Sequence, residues 1–286
     1  MKIINNESIV SRPVNFKGTL SIEISAILSN KGFNYSLIYA DINNQNYLFL
    51  SNYSTDIKNT PSPSASIIKI YIMIALYTKI SHGLLNSTTK ITLQDSMKVG
   101  GSGILYYKDS YTEYSIDDLI YLMITESDNT ATNILIDLIG KDYINSKIKK
   151  LGCINTSLNR KMMDINALNL GIDNYTSVYD LYITFIQLLN NSCINEFYDN
   201  KMINILKNTK STTKLPNLLP PNTIVAHKTG ELTNIENDAG IMFTDNGGYI
   251  LCVLTKNGKN NIEIQAISSV SKKIYDLYVN CKSKEY

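Results

Sequence analysis

Residues 64–77 read SASIIKIYIMIALY, an apolar run that holds one charged side chain, Lys69, three residues after Ser66. With Ile67, Ile68, Ile70, Ile72, Met73, Ile74, Ala75 and Leu76, the segment has too few polar positions for a surface helix and reads as a helix buried on most sides. An ammonium group taken out of water costs several kcal/mol unless it is paired or gives up its proton. Residues three apart on a helix share a face, so the Ser66 hydroxyl and the Lys69 amine can meet, and a hydroxyl beside a desolvated amine is an activated nucleophile. A plainer reading competes: Ser66 caps a core helix and Lys69 reaches the surface along its aliphatic stem. The spacing alone decides nothing, because it recurs at Ser87/Lys90, Ser146/Lys149, Ser211/Lys214 and Ser269/Lys272.

Outward from this segment, the chain of 286 residues is long enough for one large domain or two closely packed ones. Its 44% hydrophobic and 18% charged residues suit an ordinary globular protein, and 27 basic against 25 acidic residues leave no nucleic-acid footprint. Cys153, Cys193, Cys252 and Cys281 are scattered without C-x-x-C spacing, which reads as buried free thiols rather than a zinc site or disulfide framework. Only His82 and His227 are present, so a histidine-rich metal site is excluded and a Ser-His-Asp triad has two candidates. His82, in SHGL, reads as the turn that ends a helix. The stretch MKIINNESIVSRPVNFKG lacks the apolar core of a secretory signal, and no run reaches the ~18 apolar residues of a membrane span.

Residues 19–31 carry helical spacing and run into Gly32, which suits a C-cap. FNYSLIYAD and NYLFLSN flank INNQ as a hairpin, and a loop with Pro61 and Pro63 leads to Ser66. From there to about residue 210 the pattern is mainly helical, with helix starts at Ser115 and Ser177 and loops at VGGSG (99–103) and over 155–176. After Pro216, Pro220 and Pro221 come strand-like runs TIVAHKTG, AGIMFTD and YILCVLT, the last two joined at Asn246-Gly247-Gly248, and then a final helical segment. The expected architecture is α+β. Residues 1–60 and 211–286 form one antiparallel sheet with terminal helices, residues 61–210 form an all-helical domain, and a cleft lies at their junction.

Two further motifs occur once each: Ser127-Asp128-Asn129 between two predicted helices, and Lys228-Thr229-Gly230 on a predicted strand. Singly, the first reads equally well as a helix cap and the second as a strand end whose glycine permits a bulge. Taken in order with Ser66-x-x-Lys69, they form the set S-x-x-K, S-D-N, K-T-G. On these motifs the chain resembles class A β-lactamases, in the broader family of penicillin-recognising serine hydrolases, from the FNYSLIYAD strand to the final helix.

The resemblance implies that Ser66 attacks the amide carbonyl of a β-lactam, or of a D-alanyl-D-alanine-type peptide, to give an acyl-enzyme. Lys69 would take the serine proton, with its pKa lowered by burial and by Lys228. Ser127 would pass a proton to the leaving nitrogen while Lys228 holds its hydroxyl, and Asn129 would orient Lys69 and bind the substrate amide. Thr229 would bind the substrate carboxylate, Gly230 belongs to the same substrate-binding strand, and the backbone N–H groups of Ser66 and Glu231 would form the oxyanion hole. Strict alternation puts Lys228 and Thr229 on opposite faces of that strand; that both serve one site is what the resemblance implies. The implied protein is a monomer that needs no metal or cofactor, and the family's substrates lie outside the cytoplasm.

The pattern breaks in LNRKMMDINALNLGIDNYTS (158–177). Class A enzymes carry a glutamate two residues past an arginine there, to activate the hydrolytic water, and counting from Arg160 that position holds Met162. A thioether does not take a proton from water at neutral pH. Asp164 is the nearest carboxylate, either a substitute or a capping residue of the loop, and Arg160 with Asp173 is expected to tie the loop's ends together. Acylation is supported by the motifs; deacylation is expected to be slow. The alternatives are a D,D-peptidase and a sensor that acylates and keeps its adduct.

Overall fold

The structure, a computed structural model, describes residues 15–43 and 47–280. Helix α1 (Phe16–Leu28) leads into strands β1 (Asn34–Asp41) and β2 (Tyr47–Ser51). Strand β3 (Ser62–Pro63) and a 3-10 turn over Ala65–Ile68 precede α2 (Lys69–Ser81), followed by β4 (Lys90–Thr92), β5 (Glu113–Ser115), α3 (Ile116–Thr125), α4 (Asn129–Ile139) and α5 (Lys141–Lys150). Then come α6 (Ile165–Asn169), β6 (Tyr175–Thr176), α7 (Val178–Leu189) and α8 (Glu196–Leu206). The chain returns as β7 (Ile224–Leu232), β8 (Ile235–Thr244), β9 (Gly247–Lys256) and α9 (Asn260–Asn280).

The five long strands form an antiparallel sheet in the order β2-β1-β9-β8-β7, so the two ends of the chain meet where β1 pairs with β9. The fold is α+β, as the sequence implies. Strand alternation divides the core. Leu37 and Tyr39 of β1 and Tyr249, Leu251 and Val253 of β9 pack with Leu20 and Ile24 of α1 and with Ile267 and Ile274 of α9. Ile38, Ala40, Ile250, Cys252 and Leu254 face the other way, into a larger cluster built around α2. Every residue of α2 from Lys69 to Thr78 is buried, which is why its sequence carries no polar stripe.

The helix starts at Ser115 and Ser177 are present: Ser115 and Asp118 form a capping box, and Ser177 accepts from the Asp180 N–H. His82 ends α2, as expected. Cys153, Cys193 and Cys252 are free and buried, whereas Cys281 lies outside the described residues, as do most of the amino-terminal stretch 1–18 and part of the INNQ turn. Among the described residues no helix is long and apolar enough to cross a membrane.

Three expectations need correction. Helix α1 starts earlier and stops at Leu28, with Asn30 rather than Gly32 taking the first left-handed turn (φ 56°). The stretch 155–176 is not all loop, because it holds α6 and a short pairing of β6 with β3. Strand β8 begins at Ile235, ahead of the apolar run at Ala239, since Glu236, Asn237 and Asp238 are polar yet buried. Each has a partner. Lys214 Nζ is 2.6 Å from Glu236, His227 Nδ1 is 2.8 Å from Asp238 Oδ1, and Asn237 Nδ2 donates to the Pro63 carbonyl at 2.9 Å. Such pairing removes the penalty that normally keeps polar groups out of a central strand.

Candidate active site

A cleft of about 660 Å³ is lined by Ser66, Ser127, Asn129, Lys228, Thr229 and Glu231, with Arg160, Met162, Met163, Ile165 and Leu168 along another side. The three motifs therefore meet, although they are far apart in sequence. Ser66 sits in the 3-10 turn, and Ala65 before it has φ 46°, a left-handed conformation that costs a non-glycine residue about 1–3 kcal/mol. Ser66 caps nothing: no side-chain cap bond is made at this helix start, and its hydroxyl has no hydrogen bond among the described residues. The expected direct contact with Lys69 is thus not formed.

Lys69 does not reach the surface. It is 0% exposed, and its amine donates to the Ser127 carbonyl at 2.6 Å, to Ser127 Oγ at 3.1 Å and to Asn129 Oδ1 at 3.0 Å. The Asn129 amide is fixed in that sense because its Nδ2 donates to the Gly100 carbonyl at 3.0 Å. Ser127, at φ 53°, turns both its carbonyl and its hydroxyl toward Lys69. Lys228, also 0% exposed, donates to the same Ser127 Oγ at 3.0 Å and to the Thr229 carbonyl at 3.0 Å.

Burial, followed by the neighbouring Lys228, pushes the Lys69 amine well below the usual lysine range. Burial and then Lys214 bring Lys228 down to about 7. The proton inventory follows from these partners. A carbonyl and an amide oxygen only accept, so when Lys69 is neutral the Ser127 hydroxyl is the one neighbour of the three that can donate to its lone pair. One hydroxyl between two low-pKa amines can pass a proton either way.

Supporting residues bring the motifs together. The Asp128 carboxylate caps α4 through the Ala131 N–H at 2.8 Å and accepts from the Ile104 and Leu105 N–H groups, each at 2.7 Å. That draws the 99–105 loop over the site, and a Cβ on Gly103 (φ 107°) would clash with the Asp128 backbone and carboxylate. Gly230 serves close approach rather than a bulge, since a Cβ there would lie 2.7 Å from the Ser64 carbonyl and 3.0 Å from Ile67. The register of β7 keeps Lys228 and Thr229 on opposite faces, but β7 is an edge strand. Both residues nevertheless line the cleft.

The loop after α5 is closed as expected. Arg160 Nε donates to Asp173 Oδ1 at 2.9 Å, both side chains buried, and the buried Asn174 amide links the Asn159 N–H and the Arg160 N–H and carbonyl. Met162 is clamped through its backbone by Asn133, at 2.8 and 3.0 Å, and lines the cleft. Asp164 is placed otherwise than a water activator requires. It is the N-cap of α6, accepting from the Ala167 N–H at 3.0 Å, and is not among the residues that line the cleft. Neither His227 nor Asp238 lines the cleft, so their buried pair makes no triad with Ser66.

Sequence reasoning missed Asn133, whose amide fixes the loop, and Lys214, a fully buried cation beneath β7. Lys214 stands in one of the recurrent S-x-x-K spacings, a signal too common to single it out. Among the described residues no cluster of His, Cys, Asp and Glu could hold a metal ion.

Residues 19–278 match the model of the beta-lactamase enzyme family. Beta-lactamase VEB-1 of Pseudomonas aeruginosa is 26% identical over 91% of this chain and 91% of its own length. The crystal structure of a beta-lactamase from Sphaerobacter thermophilus DSM 20745 superposes with a TM-score of 0.81 at 26% identity, over 91% of this chain and 97% of that one. PBP-A, in a variant captured as an acyl-enzyme complex with penicillin G, shares the fold with a TM-score of 0.81 at 24% identity, over 96% and 99%. With the family's model matched over residues 19–278, nearly the whole chain, this protein belongs to the beta-lactamase enzyme family, hydrolases of amide bonds.

Proposed function

We propose that the protein opens the amide bond of β-lactams through an acyl-enzyme on Ser66, at the junction of a sheet domain (1–60 and 211–286) and a helical domain (61–210), and that it releases the acyl group slowly. The observation that carries this reading is the hydrogen-bonded line Lys69–Ser127–Lys228 beside the free Ser66 hydroxyl. Ser66 Oγ attacks the carbonyl, and its proton goes to the neutral Lys69 amine, a contact that forms when substrate fills the cleft. The proton moves on through Ser127 to the nitrogen of the breaking C–N bond, while Lys228 keeps the Ser127 oxygen in place. The N–H groups of Ser66 and Glu231 receive the oxyanion. Asn129 orients Lys69 and meets the substrate amide, and Thr229 anchors the far end of the substrate.

Deacylation needs a base for water. Met162 supplies none, and the Asp164 carboxylate is engaged at its helix. This favours a second reading on the same site, a penicillin-binding protein that keeps its adduct or, as a transpeptidase does, passes the acyl group to an amine. Intact-mass measurement after mixing with penicillin G tests both. A long-lived adduct, absent in Ser66→Ala, is expected. Rapid loss of penicillin without adduct would overturn slow deacylation, and no adduct with no loss would overturn the acylation itself.

A further inference from the structure

The strand that carries Lys228 and Thr229 continues into an acid. Glu231 lies two residues beyond Thr229 on β7, so both side chains leave the same face, roughly 6–7 Å apart along the strand. Both line the cleft, and the Glu231 side chain is 56% exposed. Its Oε1 lies 2.9 Å from Lys214 Nζ, which is also 2.6 Å from Glu236 and donates to the Asn237 carbonyl at 3.3 Å. Lys214 is fully buried and set against two carboxylates, so it holds Glu231 in position without offering a cation to the cleft. The other charged side chains along the cleft are Glu126, Arg160, Lys210 and Lys228. Arg160 is engaged with Asp173, and Lys228 is buried with its amine on Ser127 and on the Thr229 carbonyl. Lys210 is exposed, in the linker after α8.

We propose that Glu231 is a specificity-determining residue of this cleft, which disfavours substrates with a carboxylate next to the scissile amide and favours those that are uncharged there. The inference rests on the acylation of Ser66 proposed above. A carboxylate seated on the Thr229 hydroxyl comes within one strand repeat of the Glu231 carboxylate, and like charges at that range and an effective dielectric constant near 20 slow the reaction by about ten- to a hundredfold. An ester or a continuing amide at the same place carries no charge to repel. Among the β-lactams proposed above, those whose carboxylate is masked as a neutral ester or amide are therefore acylated faster than the free acids.

Penicillin G and its methyl ester differ in this one charge and serve as probes, with the rate of Ser66 adduct formation followed by intact mass on the full chain. The quantity to read is the ratio of the acid rate to the ester rate. It is expected to rise at least about tenfold in Glu231→Gln, to stay near the wild-type value in Glu231→Asp, and to differ less between wild type and Glu231→Gln in high salt. Glu231→Ser replaces the glutamine variant if that one misfolds. Adducts with both probes but an unmoved ratio would overturn the inference and leave the acylation standing. No adduct with either probe would remove the acylation reading, and the inference with it.

Discussion

The Lys69–Ser127–Lys228 line and the loop from Arg160 to Asn174 border the same cleft with opposite chemistry. Along the line, each amine is taken out of water and given oxygen partners within 3.1 Å, which leaves proton carriers of low pKa next to a free hydroxyl. The loop is as firmly tied, by Arg160–Asp173, Asn174 and Asn133, but apart from Arg160 and Asn174, both engaged within the loop, what it turns to the cleft is Met162, Met163, Ile165 and Leu168. Rigidity is common to both and proton chemistry is confined to one. The contrast separates forming an acyl-enzyme from hydrolysing it, and it can be broken from either side.

The largest effect is expected at the amine. Lys69→Ala removes the base and should slow adduct formation with penicillin G by about 10²–10⁴, the usual contribution of a positioned acid-base group. Labelling at the wild-type rate, followed by intact mass, would assign the proton to another group. From the other side, Met162→Glu puts a carboxylate on a backbone already clamped by Asn133. Decay of the adduct should quicken by about a hundredfold, within the range of general base catalysis, as measured by the return of the unmodified mass. An unchanged lifetime would mean that the loop excludes water as well as lacking a base.

A smaller, continuous effect concerns pH. Both buried amines hold protons less tightly in the folded protein than in the unfolded chain, where lysine titrates near ~10.4. Between pH ~7 and ~10 the unfolded state therefore binds more protons, and stability from these groups rises with pH. It is complete above the unfolded value and is lost as the pH falls through about 7, where Lys228 takes up its charge in the fold. Urea unfolding across this range should show a steeper rise for the wild type than for Lys228→Met. Equal slopes would mean that Lys228 stays charged in the fold.

What the sequence made legible follows from how each residue is satisfied. The apolar run after Ser66 betrayed a buried helix because nothing charged interrupts it but Lys69, and the sheet followed from apolar runs joined by polar and glycine turns. The burial of Glu236, Asn237 and Asp238 was not legible, since their partners Lys214, Pro63 and His227 come from other parts of the chain. The same holds for Ser66 and Lys69. Spacing brought them to one face, yet the amine is held by Ser127 and Asn129, about 60 residues further on, where local geometry has no say.

The smallest effect tests the loop carboxylate. Asp164 could matter as a base or as a cap, and the two roles predict different readouts. As the N-cap of α6 it satisfies the Ala167 N–H, so Asp164→Ala should cost about 1 kcal/mol of stability, seen as a lowered urea midpoint. Asp164→Asn, which keeps an acceptor oxygen, should recover most of that loss. Neither change should alter the lifetime of the Ser66 adduct, because the carboxylate lies off the cleft and is engaged along its own helix. If the asparagine variant kept its stability but lengthened the adduct lifetime, Asp164 would have to leave its cap to activate water, and the loop would be a catalytic element rather than an apolar wall.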